Sequence, residues 1–331
     1  MSRLHLPLVL LALALAACAG ADETPADGRL RVVTTVSPIT SIVEQVGNGR
    51  IALTGIVPEG ANSHTYEPSP SIARTLAEAD LIVMNGLYLE QPALELAQAN
   101  RREGVPILLL GDGAISRSEW VFDFSFPQSA GHPNPHLWTS PRLAARYAGL
   151  VADALSALDP ANAASYAANR EAFEARIDDL DSRIRQAVAT VAPEHRKLLT
   201  YHDSFPFFGA DYGFDIIGAV QPADFSEPSA REVAALIEQM RTTGVPAVFG
   251  SEVFPSPVME QIAQEAGAEF VNTLRDDDLP GEPGAPEHSY LGLMAANVRT
   301  ITSALGGDAS ALDGFPVGPV FDGSSDAVYP Q

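Results

Sequence analysis

The chain has 331 residues, of which 46% are hydrophobic and 19% are charged. This length is typical of about two domains, and the apolar content is sufficient for buried cores, which excludes a disordered chain. The formal net charge of −22 excludes nucleic acid as a partner, because its phosphates require a basic protein face.

The N-terminal residues have the pattern of an export signal. Residues 6–15 form an apolar run that is too short to span a bilayer but suits the core of a signal peptide. The following LAAC sequence resembles a bacterial lipobox, so we predict a signal peptide over 1–17, lipidation at Cys18 and a flexible tether over 18–29. An ordinary secretory signal with an incidental cysteine is the alternative. Both interpretations place the mature protein outside the cytoplasm. Because Cys18 is the only cysteine, a metal site in the mature protein would use nitrogen and oxygen ligands.

The next part of the chain alternates short apolar runs with helical patterns. Such alternation is typical of a parallel sheet with helices on its faces, and we assign residues 30–158 to an N-terminal α/β lobe. The predicted strands cover 30–36, 51–57, 81–85 and 107–110, and the predicted helices cover 37–47 and 70–79.

Residues 159–191 have the pattern of one long amphipathic helix. Asp159 and Pro160 suit a helix start, and Pro193 suits its end. We expect this helix, assigned to 159–192, to join two lobes as a rigid strut. Its apolar positions recur at spacings of three, four and seven and are Tyr166, Phe173, Ile177, Leu180, Ile184, Val188 and Val191.

Strand and helix patterns alternate again after this helix, which predicts a C-terminal α/β lobe over 193–305. The overall expectation is an α/β fold with two parallel-type sheets, flanked by helices and joined by one long rigid helix. A tail over 306–331, rich in Gly, Pro, Ser and Asp, is expected to pack loosely. The predicted strands cover 197–201, 215–220, 247–251 and 269–272, and the predicted helices cover 232–242, 257–266 and 290–305.

Histidine and aspartate residues follow several of these strands. His64 comes after the second predicted strand, His202 directly follows the fifth, and the run 276–278 of three aspartates follows the eighth, while His136 lies in a proline-rich loop. The carboxyl edges of parallel strands form the ligand crevice of open α/β sheets, so these groups are expected to meet between the lobes. Three imidazoles and one carboxylate form a shell that suits Zn²⁺.

The motifs HTYEPSP (64–70), NPHLWTSP (134–141), YHDSFPFF (201–208) and SEPSA (226–230) resemble the metal-binding lipoproteins of ABC importers, the cluster 9 or TroA-like family. The resemblance covers nearly the whole mature chain. It implies two α/β lobes, a rigid linking helix and one buried metal ion. By position it implies His64, His136 and His202 as ligands, and Asp277 as the fourth if DDL is aligned with the family's Asp-Ser-Leu. The run of three aspartates leaves Asp276 and Asp278 open as alternatives.

The third ligand position bears on the choice of metal. Family members with histidine there more often handle zinc, and those with glutamate resemble manganese binders. His202 therefore favours Zn²⁺, because imidazole suits zinc whereas manganese prefers oxygen. A protein that binds Mn²⁺, or both Zn²⁺ and Mn²⁺, is the alternative. The resemblance also implies an ABC permease as partner, and leaves open whether the donor is free metal or a metallochaperone.

Other side chains have candidate roles around such a site. Glu67 and Glu227 are candidates to orient the ligating imidazoles, and Trp138 and Phe205 to exclude water, although ordinary core aromatics would look the same. His132, four residues before His136, has two interpretations, as an aid to metal entry or as an exposed loop histidine.

Two other classes were weighed against a metal carrier. A catalytic zinc site keeps three protein ligands and an open position, whereas this sequence offers four candidates and contains neither HExxH nor GxxxxGK[ST]. We therefore predict no enzyme activity, and a metallohydrolase or a surface adhesin is the alternative class. The expected location is extracytoplasmic, in the periplasm or on the outer face of the cell membrane, with a lipid anchor as the only membrane attachment.

Overall fold

The computed structural model describes residues 28–223, 225–253, 257–321 and 327–331. The predicted signal peptide, Cys18 and most of the predicted tether lie outside the described residues. Within these ranges the chain forms two four-stranded parallel sheets with helices packed around them. This confirms the predicted α/β class.

The N-terminal lobe is built on the first sheet. Its strands are β1 (Leu30–Thr34), β2 (Ile51–Gly55), β3 (Leu81–Met84) and β4 (Ile107–Leu109), in the order β2-β1-β3-β4. All neighbouring pairs are parallel, with Val32 opposite Leu53 on one side and opposite Leu81 on the other. The helices of this part are α1 (Ser37–Gly47), α2 (Pro70–Glu78), α3 (Gln91–Asn100), α4 (Leu110–Ala114) and α5 (Pro141–Leu158).

The C-terminal lobe repeats this arrangement. Its strands are β5 (Lys197–Thr200), β6 (Asp215–Ala219), β7 (Ala247–Phe249) and β8 (Glu269–Val271), in the order β6-β5-β7-β8. The order matches that of the first sheet strand for strand, so the two lobes share one topology. The helices are α7 (Pro206–Tyr212), α8 (Ala230–Thr243), α9 (Pro257–Ala266) and α10 (Tyr290–Ala304).

The long helix between the lobes, α6, runs over Ala163–Ala189 and is 27 residues long, which corresponds to about 40 Å. It begins later than predicted, because Pro160–Asn162 forms a 3-10 turn in which the Asp159 carboxylate accepts hydrogen bonds from Asn162 and Tyr166. The predicted apolar positions from Tyr166 to Val191 are all buried. They pack against α1 and α5 on one side and against α7 and α10 on the other.

The tail differs from the expectation of loose packing in the residues that the structure describes. Leu312 is fully buried and Phe315 nearly so, next to the short helix Ser310–Leu312. Val328 pairs with the edge strand β2. These apolar residues pack because they cover surface of α6 and β2 that would otherwise face water. The remaining 3-10 helices are Asn48–Arg50, Arg117–Glu119, Gln128–Ala130, Leu137–Thr139 and Pro193–His195.

None of the helices within the described ranges has both the length and the apolar composition that a membrane-spanning helix needs.

Candidate metal site

Three histidines meet between the two lobes. The Nε2 atoms of His64 and His136 are 3.2 Å apart, those of His64 and His202 are 3.2 Å apart, and those of His136 and His202 are 3.0 Å apart. His136 and His202 are buried, and His64 is partly accessible. Within the described residues these three form the cluster whose ligand atoms lie close enough together to hold one metal ion.

The local structure of each lobe directs these rings inwards. His64 lies between β2 and α2, and its backbone N–H donates to Asn62 Oδ1 at 2.9 Å. His136 precedes the 3-10 helix that leads into α5, and His202 lies just after the end of β5. Two of the three histidines thus follow the carboxyl ends of parallel strands, where open sheets bind ligands.

Amide oxygens orient two of the rings. Nδ1 of His136 lies 2.8 Å from Asn134 Oδ1, and Nδ1 of His202 lies 2.7 Å from Gln221 Oε1. Because an amide oxygen only accepts, each Nδ1 carries the proton and each Nε2 keeps its lone pair for a ligand. The role of Asn134 could have been predicted from the sequence, because Asn134 lies two residues before His136. Gln221 is nineteen residues from His202, and no sequence signal indicated it.

The predicted orienting residues Glu67 and Glu227 do not fill this role. Both are exposed. Glu227 accepts a hydrogen bond from Tyr201 Oη at 3.4 Å instead of one from a histidine. The prediction was wrong because it assumed carboxylates, whereas neutral amides reach the rings from shorter loops.

The aspartate run contributes one carboxylate beside the histidines. Oδ2 of Asp276 is buried, lies 3.8 Å from His202 Nε2 and has no hydrogen-bond partner, while its Oδ1 accepts from Ser251 Oγ at 3.0 Å. Asp277, which the alignment selected, turns its Oδ2 to Ser63 Oγ at 2.6 Å. Asp278 accepts from the backbone N–H of Gly60 at 2.8 Å. The structure thus brings Asp276 to within 3.8 Å of a histidine Nε2, while Oδ1 of Asp277, the residue that the alignment selects, is likewise buried without a hydrogen-bond partner.

One partly buried glutamate shapes this aspartate turn. Oε1 of Glu252 accepts the backbone N–H groups of Asp276, Asp277 and Asp278 at 3.0, 3.2 and 3.0 Å. Burial raises the pKa of Glu252 well above its ordinary value, and the charges of the neighbouring aspartates raise it further. Sequence reasoning missed Glu252, although its position just after β7 places it at the same sheet edge as the ligands.

Aromatic rings surround the histidine cluster. Phe225 stacks on His64 with ring centroids 4.6 Å apart, and Phe126 lies 5.5 Å from the same ring. Trp138, predicted to exclude water, is fully buried, lies 5.2 Å from His136 and donates its Nε1–H to Asp276 O at 2.8 Å. Phe205 packs against Phe208, so the structure supports it as a core residue.

A cavity of about 230 Å³ opens beside His64. His132 lies at this cavity and is exposed, and its ring stacks on Tyr88 with centroids 4.1 Å apart. The structure thus places His132 at the approach to the site without bringing it into the histidine cluster.

Burial also sets the charge of the imidazoles. It lowers the pKa of His64 and of His136 well below the ordinary value of 6.5, and the nearby His202 lowers both further. These two rings are therefore neutral at pH 7, which is the form that binds a metal ion.

Polar contacts behind His202 join the lobes. Asp203 Oδ2 accepts the backbone N–H of Ser125 at 2.9 Å, and Asn134 donates to Asp203 O at 2.6 Å. Burial, followed by the charge of Asp203, raises the pKa of Asp123 to about 9. Asp123 is thus protonated beside Asp203, which avoids two adjacent buried charges.

Two similar α/β lobes, a long helix between them and a buried nitrogen-rich cluster in the cleft define a solute-binding protein for a metal ion. In the part of the chain that the structure describes, the site presents three histidine nitrogens beside a buried carboxylate, a donor set expected of a metal carrier.

Comparisons with known proteins agree with this class. The manganese-binding lipoprotein MntA of Halalkalibacterium halodurans is 27% identical over 90% of this chain and 96% of its own length. The zinc-binding protein TroA of Treponema pallidum is 28% identical over 86% and 92%, and the iron-binding protein YfeA of Yersinia pestis is 28% identical over 86% and 90%. The solved structure of TroA superposes with a TM-score of 0.76 at 26% identity, covering 84% of this chain and 99% of TroA.

Residues 32–304 match the sequence model of the family described as zinc-uptake complex component A, periplasmic (ZnuA), and the chain belongs to this family. It is a metal-binding solute-binding protein of ABC transporters and not an enzyme. The family resemblance inferred from the four motifs is confirmed. The named relatives bind different metals, so kinship alone does not select the ion.

Proposed function

We propose that this protein captures Zn²⁺ between its lobes and delivers it to the permease of an ABC importer. The observation that carries the choice of zinc is the set of three convergent Nε2 atoms, 3.0–3.2 Å apart. In a tetrahedral zinc site with Zn–N distances of about 2.05 Å, the nitrogen atoms lie about 3.3 Å from one another. The three rings are thus already spaced as a zinc ion requires.

The ligand chemistry supports the same ion. Three imidazoles and one carboxylate suit Zn²⁺, whereas Mn²⁺ prefers a shell dominated by oxygen and has lower affinity for nitrogen sites. We propose Asp276 as the fourth ligand, because its unpartnered Oδ2 lies 3.8 Å from His202 Nε2. Asp277, whose Oδ1 is also buried without a partner while its Oδ2 accepts from Ser63, is the alternative. Mn²⁺ is the alternative ion.

We further propose that the protein acts outside the cytoplasm and is tethered by lipid at Cys18. The support is the LAAC sequence that ends at Cys18, together with relatives such as MntA that are named lipoproteins. The donor of the metal in this proposal is either the free ion or a metallochaperone.

Metal analysis and competition titration of the purified mature protein test this function. We expect about one Zn²⁺ per chain, retained against an equimolar amount of Mn²⁺, and a sharp loss of binding in His64→Ala, His136→Ala and His202→Ala. Retention of Mn²⁺ in preference to zinc would contradict the choice of ion. Zinc binding by the triple histidine variant at wild-type affinity would contradict the site.

A matched pair of variants tests the fourth ligand. Asp276→Asn should weaken zinc binding by at least about tenfold more than Asp277→Asn, because only the former removes the charge that faces the ion. The opposite order would assign the ligand to Asp277, as the sequence alignment did.

A further inference from the structure

The last five residues of the chain pack against the edge of the N-terminal sheet. Val328 donates its N–H to Leu53 O at 3.0 Å and accepts from the N–H of Gly55 at 3.0 Å, which adds a short parallel bridge to β2. This segment lies outside residues 32–304, the part that matches the family. It is therefore a feature that membership of the family does not account for.

Tyr329 anchors this segment to the body of the lobe. Its Oη donates to Glu44 Oε2 of α1 at 2.6 Å, and its ring packs edge-on against His288 with centroids 4.8 Å apart. Burial, followed by the charge of Glu44, raises the pKa of Tyr329 well above its ordinary value, so the phenol stays a donor. His288 belongs to the segment before α10, so this one ring contacts both α1 and the segment that leads into α10.

The next residue reaches the loop that carries His64. Pro330 O accepts the backbone N–H of Glu59 at 3.2 Å, and Oε1 of Glu59 lies 3.6 Å from His288 Nε2. Gly60, the residue after Glu59, donates its N–H to Asp278 of the aspartate turn at 2.8 Å. A continuous set of contacts therefore connects the C-terminus to the start of the His64 loop and to the aspartate turn of the other lobe.

We propose that residues 327–331 act as a clamp that fastens the loop over residues 58–66 to β2 and α1 and, through His288, to the C-terminal lobe, and thereby slows release of the bound ion. The proposal rests on the proposed metal site for its functional consequence. Tyr329 is a positioning residue in this clamp, since it touches no ligand of the metal. Without the clamp, the start of the loop that carries His64 loses the hydrogen bond from Glu59 N–H to Pro330 O and its link through Tyr329 to α1, while the contacts of the other two histidines are unchanged. Because His64 is also the ligand that remains partly accessible, release of the ion would begin there.

The experiment compares the full chain with a variant that lacks residues 327–331 and with Tyr329→Phe. The control is Tyr166→Phe, which removes an equivalent phenol–carboxylate hydrogen bond, 2.8 Å to Asp159, that involves no residue of the clamp or of the metal site. Zinc dissociation is measured by stopped-flow transfer to a chromophoric chelator. We expect the deletion to raise the dissociation rate about tenfold, Tyr329→Phe to raise it less, and Tyr166→Phe to leave it unchanged even where all three lower the melting temperature.

Hydrogen exchange of the metal-free proteins separates the clamp from the choice of metal. Amides of residues 58–66 should exchange faster in the deletion variant than in the full chain, whichever ion the protein binds. If the full chain binds no zinc, the proposed function fails and this exchange measurement alone decides the clamp. Unchanged exchange in this loop, or a rise in dissociation rate as large in Tyr166→Phe as in Tyr329→Phe, would overturn the proposal.

Discussion

The hydrogen bond at the back of an imidazole decides which of its nitrogen atoms is available to a metal. At His202 that bond is made by Gln221 Oε1, and at His136 by Asn134 Oδ1. Both partners are neutral, so they fix ring orientation and tautomer without adding charge to an already acidic surrounding. The negative charge near the ion therefore comes from the carboxylates of the aspartate turn.

Gln221 offers a direct test, because its side chain makes this contact and carries no charge. Gln221→Ala should weaken zinc binding by about 10–100-fold, whereas Gln221→Glu, which keeps an acceptor, should bind more tightly than the alanine variant. Isothermal titration with a competing chelator measures both. Glu227→Gln is the control for the residue that sequence reasoning proposed, and it should bind like wild type. Wild-type affinity in Gln221→Ala would refute the orienting role.

The charge of the metal-free imidazoles gives a second test at this scale. Burial lowers the pKa of His64 and His136 below the unfolded value of 6.5, so the unfolded chain takes up protons at these positions before the folded protein does. As the pH falls from 6.5 towards the lower folded pKa, these two rings therefore destabilise the metal-free fold. An NMR titration of the imidazole protons should give midpoints below 6.5 in the native protein and about 6.5 in urea. Native midpoints at or above 6.5 would contradict this account.

At the scale of elements, the ends of the strands show that an apolar sequence pattern predicts burial but not the exact extent of strand pairing. Every one of the eight predicted strands is present, but each ends one or two residues earlier than predicted. Thr35 and Val36, for example, are buried beyond the end of β1. Thr35 still accepts the N–H of Val57 at 3.4 Å, but the regular pairing of β1 with β2 ends at Thr34 and Gly55. Burial and strand pairing are thus separate constraints, and the sequence pattern reports the first.

Helix α5 shows a different limit. Residues 141–158 were not predicted as a helix, although Ser140 caps its start by accepting the N–H of Leu143 at 3.2 Å. Its large buried side chains, Leu143, Tyr147, Val151 and Leu155, recur at a spacing of four, so the amphipathic pattern was present in the sequence and the prediction missed it. In the folded protein α5 packs against α6 and α1.

The long helix α6 provides the test for this scale. Phe173 is fully buried on α6 and its ring lies 6.0 Å from that of Tyr290 at the start of α10. Phe173→Ala should lower the free energy of unfolding by about 3–5 kcal/mol, because it leaves a cavity at a joint between helices. Urea denaturation of the metal-free protein measures the change. The exposed Glu171→Ala on the same helix is the control, with an expected change within about 0.5 kcal/mol.

At the scale of the whole molecule, the two lobes are tied together close to the site. Ser63 of the first lobe donates to Asp277 of the second, and Ser125 Oγ donates to Gln221 O at 2.7 Å. Helix α6 packs against helices of both lobes. These ties hold the ligands from both sheets within hydrogen-bonding distance of one another. The site is accordingly formed by the assembled molecule and by neither lobe alone.

The net charge of −22 acts at this scale too. It makes the surroundings of the cleft favourable for cations in general, but it does not distinguish one divalent ion from another. That distinction comes from the three imidazole nitrogens, whose softness and spacing are local properties.

The sequence by itself determined the class of fold, the eight strands, the long helix and the three histidines. It could do so because apolar periodicity reports burial, and because residues after strand ends meet at one edge of a parallel sheet. Which of the three adjacent aspartates lies next to the histidines is visible only in the tertiary structure, where Asp276 Oδ2 is 3.8 Å from His202 Nε2. In a tight turn, neighbouring side chains point in different directions, so an alignment uncertain by one residue selects a different carboxylate.

The residues that orient the site were likewise decided by the tertiary structure. Gln221 and Glu252 are far from the histidines in sequence or lie in segments without a motif, and they reach the site only because separate elements pack together. Their contacts depend on distances between separate elements. A linear pattern contains no information about those distances until the chain has folded.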